Sequence, residues 1–118
     1  MNPRKNTRRN KRLKTKIRVQ CKTEGVFFSD FTRDICIDGI GVESTVTIME
    51  GTVVDLHIHV PGETEPIITK GRVIWSNTII PHADSNSNIA IGIEFEELSD
   101  IYRGKLLNFI ENQDIKQA

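Results

Sequence analysis

Apolar residues alternate with polar ones along most of this chain, and the alternation has a period of two. "IRVQC" places Ile17, Val19 and Cys21 on one side and Arg18 and Gln20 on the other. "TVVDLHIHV" sets Val54, Leu56, Ile58 and Val60 against Asp55, His57 and His59. Side chains of a strand point alternately to opposite faces, so each stretch predicts a half-buried strand. "VFFSDFTRDI", "GIGVEST", "IITKGRVIW" and "IAIGIEF" read as further strands. Glu24-Gly25 and Pro61-Gly62 supply turns, and "SNTIIPHADSNSN" is a polar loop. The pattern changes at "DIYRGKLLNFIENQ", where Ile101, Tyr102, Leu106, Leu107, Phe109 and Ile110 suit a helix capped by Ser99 or Asp100. Six or seven short strands followed by one helix predict an all-β, antiparallel barrel or sandwich, and barrel closure removes exposed edges.

The 118 residues suffice for one domain. Its expected parts are a mobile basic segment at 1–14, a barrel at 15–98, a helix at 99–112 and a tail at 113–118. The net charge is zero, yet it is unevenly spread. Residues 1–33 hold eleven Lys or Arg against two acids, a balance of +9, and residues 34–118 hold five against fourteen, a balance of −9. Such asymmetry predicts an anionic partner for the basic part. "MNPRKNTRRNKRLK" has no apolar periodicity and should move freely until a partner orders it. No apolar run is long enough to span a bilayer, and the N-terminus lacks the apolar core of a signal peptide, so the expected location is cytoplasmic. Cys21 and Cys36 lack metal-type spacing and read as two free thiols.

Two short stretches carry candidate chemistry. In "RRNKR", Arg8 and Arg12 are four apart with Arg9 between them, and guanidinium groups meet phosphate oxygens in pairs and stack on purines. In "DICIDG", Asp34 can accept two hydrogen bonds from a guanine edge. Residue 36 shares its side if the segment is extended. Gly39 and Gly41 permit a tight bend and close approach of backbone to ligand. The bland readings are a solubilising tail and a turn whose aspartate bonds its own backbone.

Together, and in this order and distance, the two stretches resemble the RxxxR and [D/N]xSxxG motifs of the PilZ domain family. "GIGVES", "GRVIWS", "IGIEFEEL" and the C-terminal helix agree, so the resemblance covers roughly residues 8–110. It implies a six-stranded antiparallel barrel in a bacterial protein, and a receptor for cyclic di-GMP. It further implies that Arg8 and Arg12, with Arg9 beside them, grip phosphate and guanine. Asp34, residue 36 and Gly39 would then read a guanine edge and the adjacent backbone.

One position departs from that pattern: the family's serine is Cys36 here. A thiol is a weak donor and acceptor. A lost hydrogen bond to a charged group costs about 1.5–3 kcal/mol, a weakening of about tenfold to hundredfold. Alternatively Cys36 points into the barrel as a small apolar group, which would make the site degenerate. Three readings follow. The first is a receptor that orders its Arg segment on binding cyclic di-GMP and signals to an effector protein. The second is a PilZ-like adaptor that binds no nucleotide. The third, a nucleic-acid-binding barrel, is disfavoured because the strands lack an aromatic stripe with interleaved basic residues. His57 and His59 have no evident third metal ligand. Trp75 and the five Phe read as core or rim, and no nucleophile–base arrangement suggests an enzyme. Neither a cofactor nor a metal is expected, and the chain is compatible with a monomer or a homodimer.

Overall fold

A computed structural model of the chain describes residues 12–80 and 88–117, with side chains as far as residue 113. Among the described residues, seven strands precede a C-terminal helix: β1 (Leu13–Lys14), β2 (Arg18–Thr23), β3 (Val26–Cys36), β4 (Gly39–Ser44), β5 (Val53–His59), β6 (Ile67–Thr78), β7 (Ile89–Glu96) and α1 (Asp100–Gln117). The strands hydrogen-bond in the order β3-β2-β5-β6-β7-β4, and β4 returns to β3. Every pairing is antiparallel. The result is a closed six-stranded barrel, as the sequence implied, with β1 as a short addition alongside β3.

The alternating residues fill the barrel. Val19 and Cys21 from β2, Leu56 and Ile58 from β5, and Ile91 and Ile93 from β7 are buried in one cluster. Leu106, Phe109 and Ile110 recur at helical spacing and carry α1 onto the same core. Ser99 caps that helix: its Oγ accepts from the backbone N–H of Tyr102 at 3.1 Å. At the β2–β3 hairpin, Thr23 pairs with Val26 across a two-residue turn, and Gly25 takes the positive φ of 72° that this turn needs. Both cysteines are free thiols.

Two boundaries differ from the sequence expectation. Leu13 and Lys14 belong to a strand, because the one leucine of the charged leader is drawn into the core opposite Ile35. The helix continues to Gln117 rather than ending at 112, since "ENQDIKQ" contains neither Gly nor Pro to stop it. Residues 1–11 of the expected mobile segment lie outside the described residues.

Between β1 and β2 the ladder is interrupted at residues 15–17, and Thr32 of β3 replaces it. The Thr32 hydroxyl accepts from the Ile17 N–H at 3.1 Å and donates to the Thr15 carbonyl at 2.6 Å. Its own backbone N–H reaches the Ile17 carbonyl at 2.9 Å. Buried backbone groups need partners. One side chain thus lets the chain step from the barrel wall onto the short strand that leads back to Arg12.

Candidate functional site

Two β-bulges build the site. On β3, Thr32 pairs with Val42 and Asp34 pairs with Gly41, so Arg33 is an extra residue. An extra residue reverses which face the following side chains occupy. Thr32 is therefore buried inside, Ile35 also points inward, and Asp34 and Cys36 emerge on the outer side. On β6, Val73 pairs with Ile93 and Trp75 with Gly92, leaving Ile74 as the extra residue. Val73 is buried, whereas Trp75 turns outward. Both bulges thus deliver side chains into one cleft of about 500 Å³.

The floor of this cleft is nearly bare backbone. The register aligns Asp34, Gly41, Gly92 and Trp75 in one row across four strands. A Cβ on Gly41 would stand 2.9 Å from Asp34 Oδ1, and one on Gly92 would collide with the Trp75 indole. The two glycines therefore let the carboxylate and the indole lean over the sheet from opposite sides. A flat surface with a carboxylate at one side and an aromatic ring at the other suits a planar polar ligand.

Arg12 closes the carboxylate side. Its Nε and Nη2 donate to Asp34 Oδ1 at 3.1 and 2.7 Å, and its Nη1 donates to Cys36 Sγ at 3.1 Å. Burial pulls the Arg12 pKa down, but the hydrogen bond to Asp34 and the nearby Cys36, Asp34 and Asp38 outweigh it, leaving it raised. Arg12 is therefore a permanent cation at the cleft edge. Both partners are partly exposed, and such a pair is worth about 1 kcal/mol or less. An incoming anion can therefore recruit the guanidinium at small cost.

The structure brings together Arg12, Asp34, Cys36 and Gly39 around the cleft. Arg8 and Arg9 lie outside the described residues, as does His82. Cys36 is fully buried, yet its sulfur faces Arg12 rather than the barrel interior. The reason for Gly39 differs from the expected bend. Its φ is not in the left-handed range. A side chain there would instead run into the Ile93 carbonyl, so glycine lets β4 approach β7 closely. Sequence reasoning missed Trp75 as part of the cleft, and with it Asp38 and Glu94. The signal was available in "GRVIW", where two apolar residues follow Val73 and break the alternation.

Phe27 and Phe31 also correct the expectation of core or rim. They are 63% and 53% exposed on the outer face of β3. His57 and His59 lie on the outer face of β5, and His59 Nε2 is 3.0 Å from Gln20 Oε1. Among the described residues, no group of three or more His, Cys, Asp or Glu could hold a metal ion. No described helix is long and apolar enough to cross a membrane.

In this barrel an arginine from the leader meets the Asp34 corner at the edge of a glycine-floored cleft. The chain belongs to the PilZ domain family, whose model matches residues 6–112. A search of curated proteins found no match. Among solved structures, the chain is similar to the inhibitor of motility MotI/DgrA of Bacillus subtilis, with a TM-score of 0.76 and 18% identity. That match covers 91% of this chain and 50% of the other, so the chain spans about half the length of that relative. It is also similar to the PilZ domain of YcgR from Escherichia coli, solved with c-di-GMP, with a TM-score of 0.70 and 14% identity over 92% of each chain. A third likeness is to the MrkH–c-di-GMP complex of K. pneumonia, with a TM-score of 0.69, 15% identity, and coverage of 92% of this chain and 53% of that one.

Proposed function

We propose that this chain is a bacterial, cytoplasmic receptor module for cyclic di-GMP that passes the binding event to an effector protein. The observation that carries the reading is the meeting of Arg12 with Asp34 and Cys36 at the edge of a glycine-floored cleft. These residues come from the two stretches that match the family's motifs, and two of the similar structures contain c-di-GMP. In this reading the dianionic ligand draws Arg12 from Asp34. The guanidinium turns to phosphate, and the freed carboxylate accepts from a guanine edge. Arg8 and Arg9 join it, so the leader folds over the ligand and the surface offered to the effector changes. The cleft also contains Asp38 and Glu94. A dianion therefore needs the leader's arginines to offset this negative charge.

Cys36 is the tuning element. Its sulfur already accepts from Arg12, so the thiol keeps the position of the family's serine while offering a weaker hydrogen bond. Calorimetric titration with cyclic di-GMP, with GTP as control, tests the reading. Micromolar or tighter binding is expected, lost in Arg12→Ala and tightened about tenfold to hundredfold in Cys36→Ser. Silence in both the wild type and Cys36→Ser would reject the receptor and favour a nucleotide-free adaptor.

A further inference from the structure

The outer face of the β2–β3 hairpin lies away from the cleft. β2 turns Arg18, Gln20 and Lys22 outward, and β3 turns Phe27, Ser29 and Phe31 outward beside them. The register sets Arg18 opposite Phe31, Gln20 opposite Ser29, and Lys22 opposite Phe27. Each exposed ring therefore has a cation as its cross-strand neighbour. Arg18 Nε also donates to Ser29 Oγ at 3.3 Å, and Ser29 lies between Phe27 and Phe31 on the same outward row. Neither outward row carries an acid. On the adjoining strand Asp55 stands opposite Lys22, and Lys70 holds its carboxylate at 2.8 Å.

Two aromatic rings interleaved with basic residues therefore share this face, against the expectation from the sequence. Strand alternation hid it, because the three Phe of "VFFSDF" look alike in sequence, yet Phe28 packs on the core while Phe27 and Phe31 turn away. The rings stand four residues apart on one strand, about 13 Å. They are separated by a serine instead of merging into one apolar patch. Protein hot spots cluster their anchors in well-packed, desolvated pockets, whereas these two rings stand apart on an open face. Spaced flat rings, each beside a cation, suit a chain that repeats a stackable base and a phosphate.

We infer that the outer face of β2 and β3 is a binding site for single-stranded nucleic acid, with Phe27 and Phe31 as stacking platforms and Arg18 and Lys22 as phosphate contacts. The site is independent of the cyclic di-GMP reading and uses none of its residues.

The test uses the full chain and fluorescence anisotropy with a labelled 15-nucleotide oligo(dT), the matching oligo(U), and a duplex of equal length. Single strands should bind more tightly than the duplex. Phe27→Ala and Phe31→Ala should each weaken single-strand binding about five- to 140-fold, the effect of losing one stacked base. The Trp variants at these positions should retain it. Arg18→Gln should lower the slope of log affinity against log salt by about 0.7. Circular dichroism and thermal melting verify that each variant is folded. Absence of binding overturns the inference. So does binding that favours the duplex or ignores both Phe→Ala changes, since the leader's charge alone would then explain it. Equal loss of binding to anionic phosphatidylserine vesicles in the Phe variants, without single-strand binding, would overturn it in favour of a membrane surface.

Discussion

Replacing Thr32 by Val removes one hydroxyl and nearly preserves the shape of the side chain. The hydroxyl accepts from the buried Ile17 N–H and donates to the Thr15 carbonyl. Thr32 itself is 2% exposed, so water has little access to replace it. Leaving the buried N–H unpaired costs about 1–3 kcal/mol, and losing the second, partly buried bond adds about 0.5–1.5. The sum is about 1.5–4.5 kcal/mol. For a domain of this size, at about 4 °C per kcal/mol, the melting temperature should fall by about 6–18 °C. Urea and thermal denaturation of wild type, Thr32→Val and Thr32→Ser measure it, and Ser should lose much less because it keeps both bonds. The change also loosens the step from β2 to β1, so Arg12 should lose its fixed position. A Val variant within 0.5 kcal/mol of wild type would refute the argument that one side chain stands in for the missing ladder.

Other substitutions probe other parts of the molecule. Gly92→Ala drives a methyl against the indole of Trp75, the single tryptophan of the chain, so its emission spectrum should shift while the barrel stays folded. Gly39→Ala puts a Cβ against the Ile93 carbonyl, and forcing β4 from β7 should cost about 1–3 kcal/mol in a urea melt. Leu106 is fully buried where α1 meets the barrel, and Leu106→Ala should cost about 2–5 kcal/mol. Burial, aided by the charge of Asp30, pushes the Cys21 thiol from 9.0 up to about 12. Above pH 9 the unfolded chain gives up a proton that the folded chain keeps. The stability present below that pH should therefore decline as the pH rises from 9 towards 12. Urea melts between pH 8 and 10.5 should show a shallower alkaline decline in Cys21→Ala, which has no thiol to ionise.

The barrel was legible because its strands keep strict alternation where they line the core. Val54, Leu56, Ile58 and Val60 were expected on one face and are all buried. The helix was legible for the same reason: Leu106, Phe109 and Ile110 pack on the core, while Ile101 and Leu107 of the same apolar set are exposed. What escaped were the places where alternation slips by one. A bulge changes the phase of a strand without altering its composition, so "TRDIC" does not announce that Thr32 turns in while Asp34 and Cys36 turn out. The side on which Trp75 emerges depends on the same slip at Ile74. The outward rings of Phe27 and Phe31 were misread for a different reason: hydrophobicity is ordinarily evidence of burial, and both rings stand outside the core.

The cleft draws Arg12 from before the first strand, Asp34 and Gly39 from the β3–β4 hairpin, Trp75 from β6 and Glu94 from β7. No continuous piece of the chain contains it. It comes into being when β7 docks on β4 and the ring shuts, and it vanishes when the ring opens. A ligand seated there acts as a clasp on a cyclic structure, linking ring opening to ligand release. At a hundredfold excess over its dissociation constant it would add about 2.7 kcal/mol to the whole barrel. Amide exchange that requires the ring to open should then slow everywhere at once. This includes β2 and β5, strands on the far side that contribute nothing to the cleft.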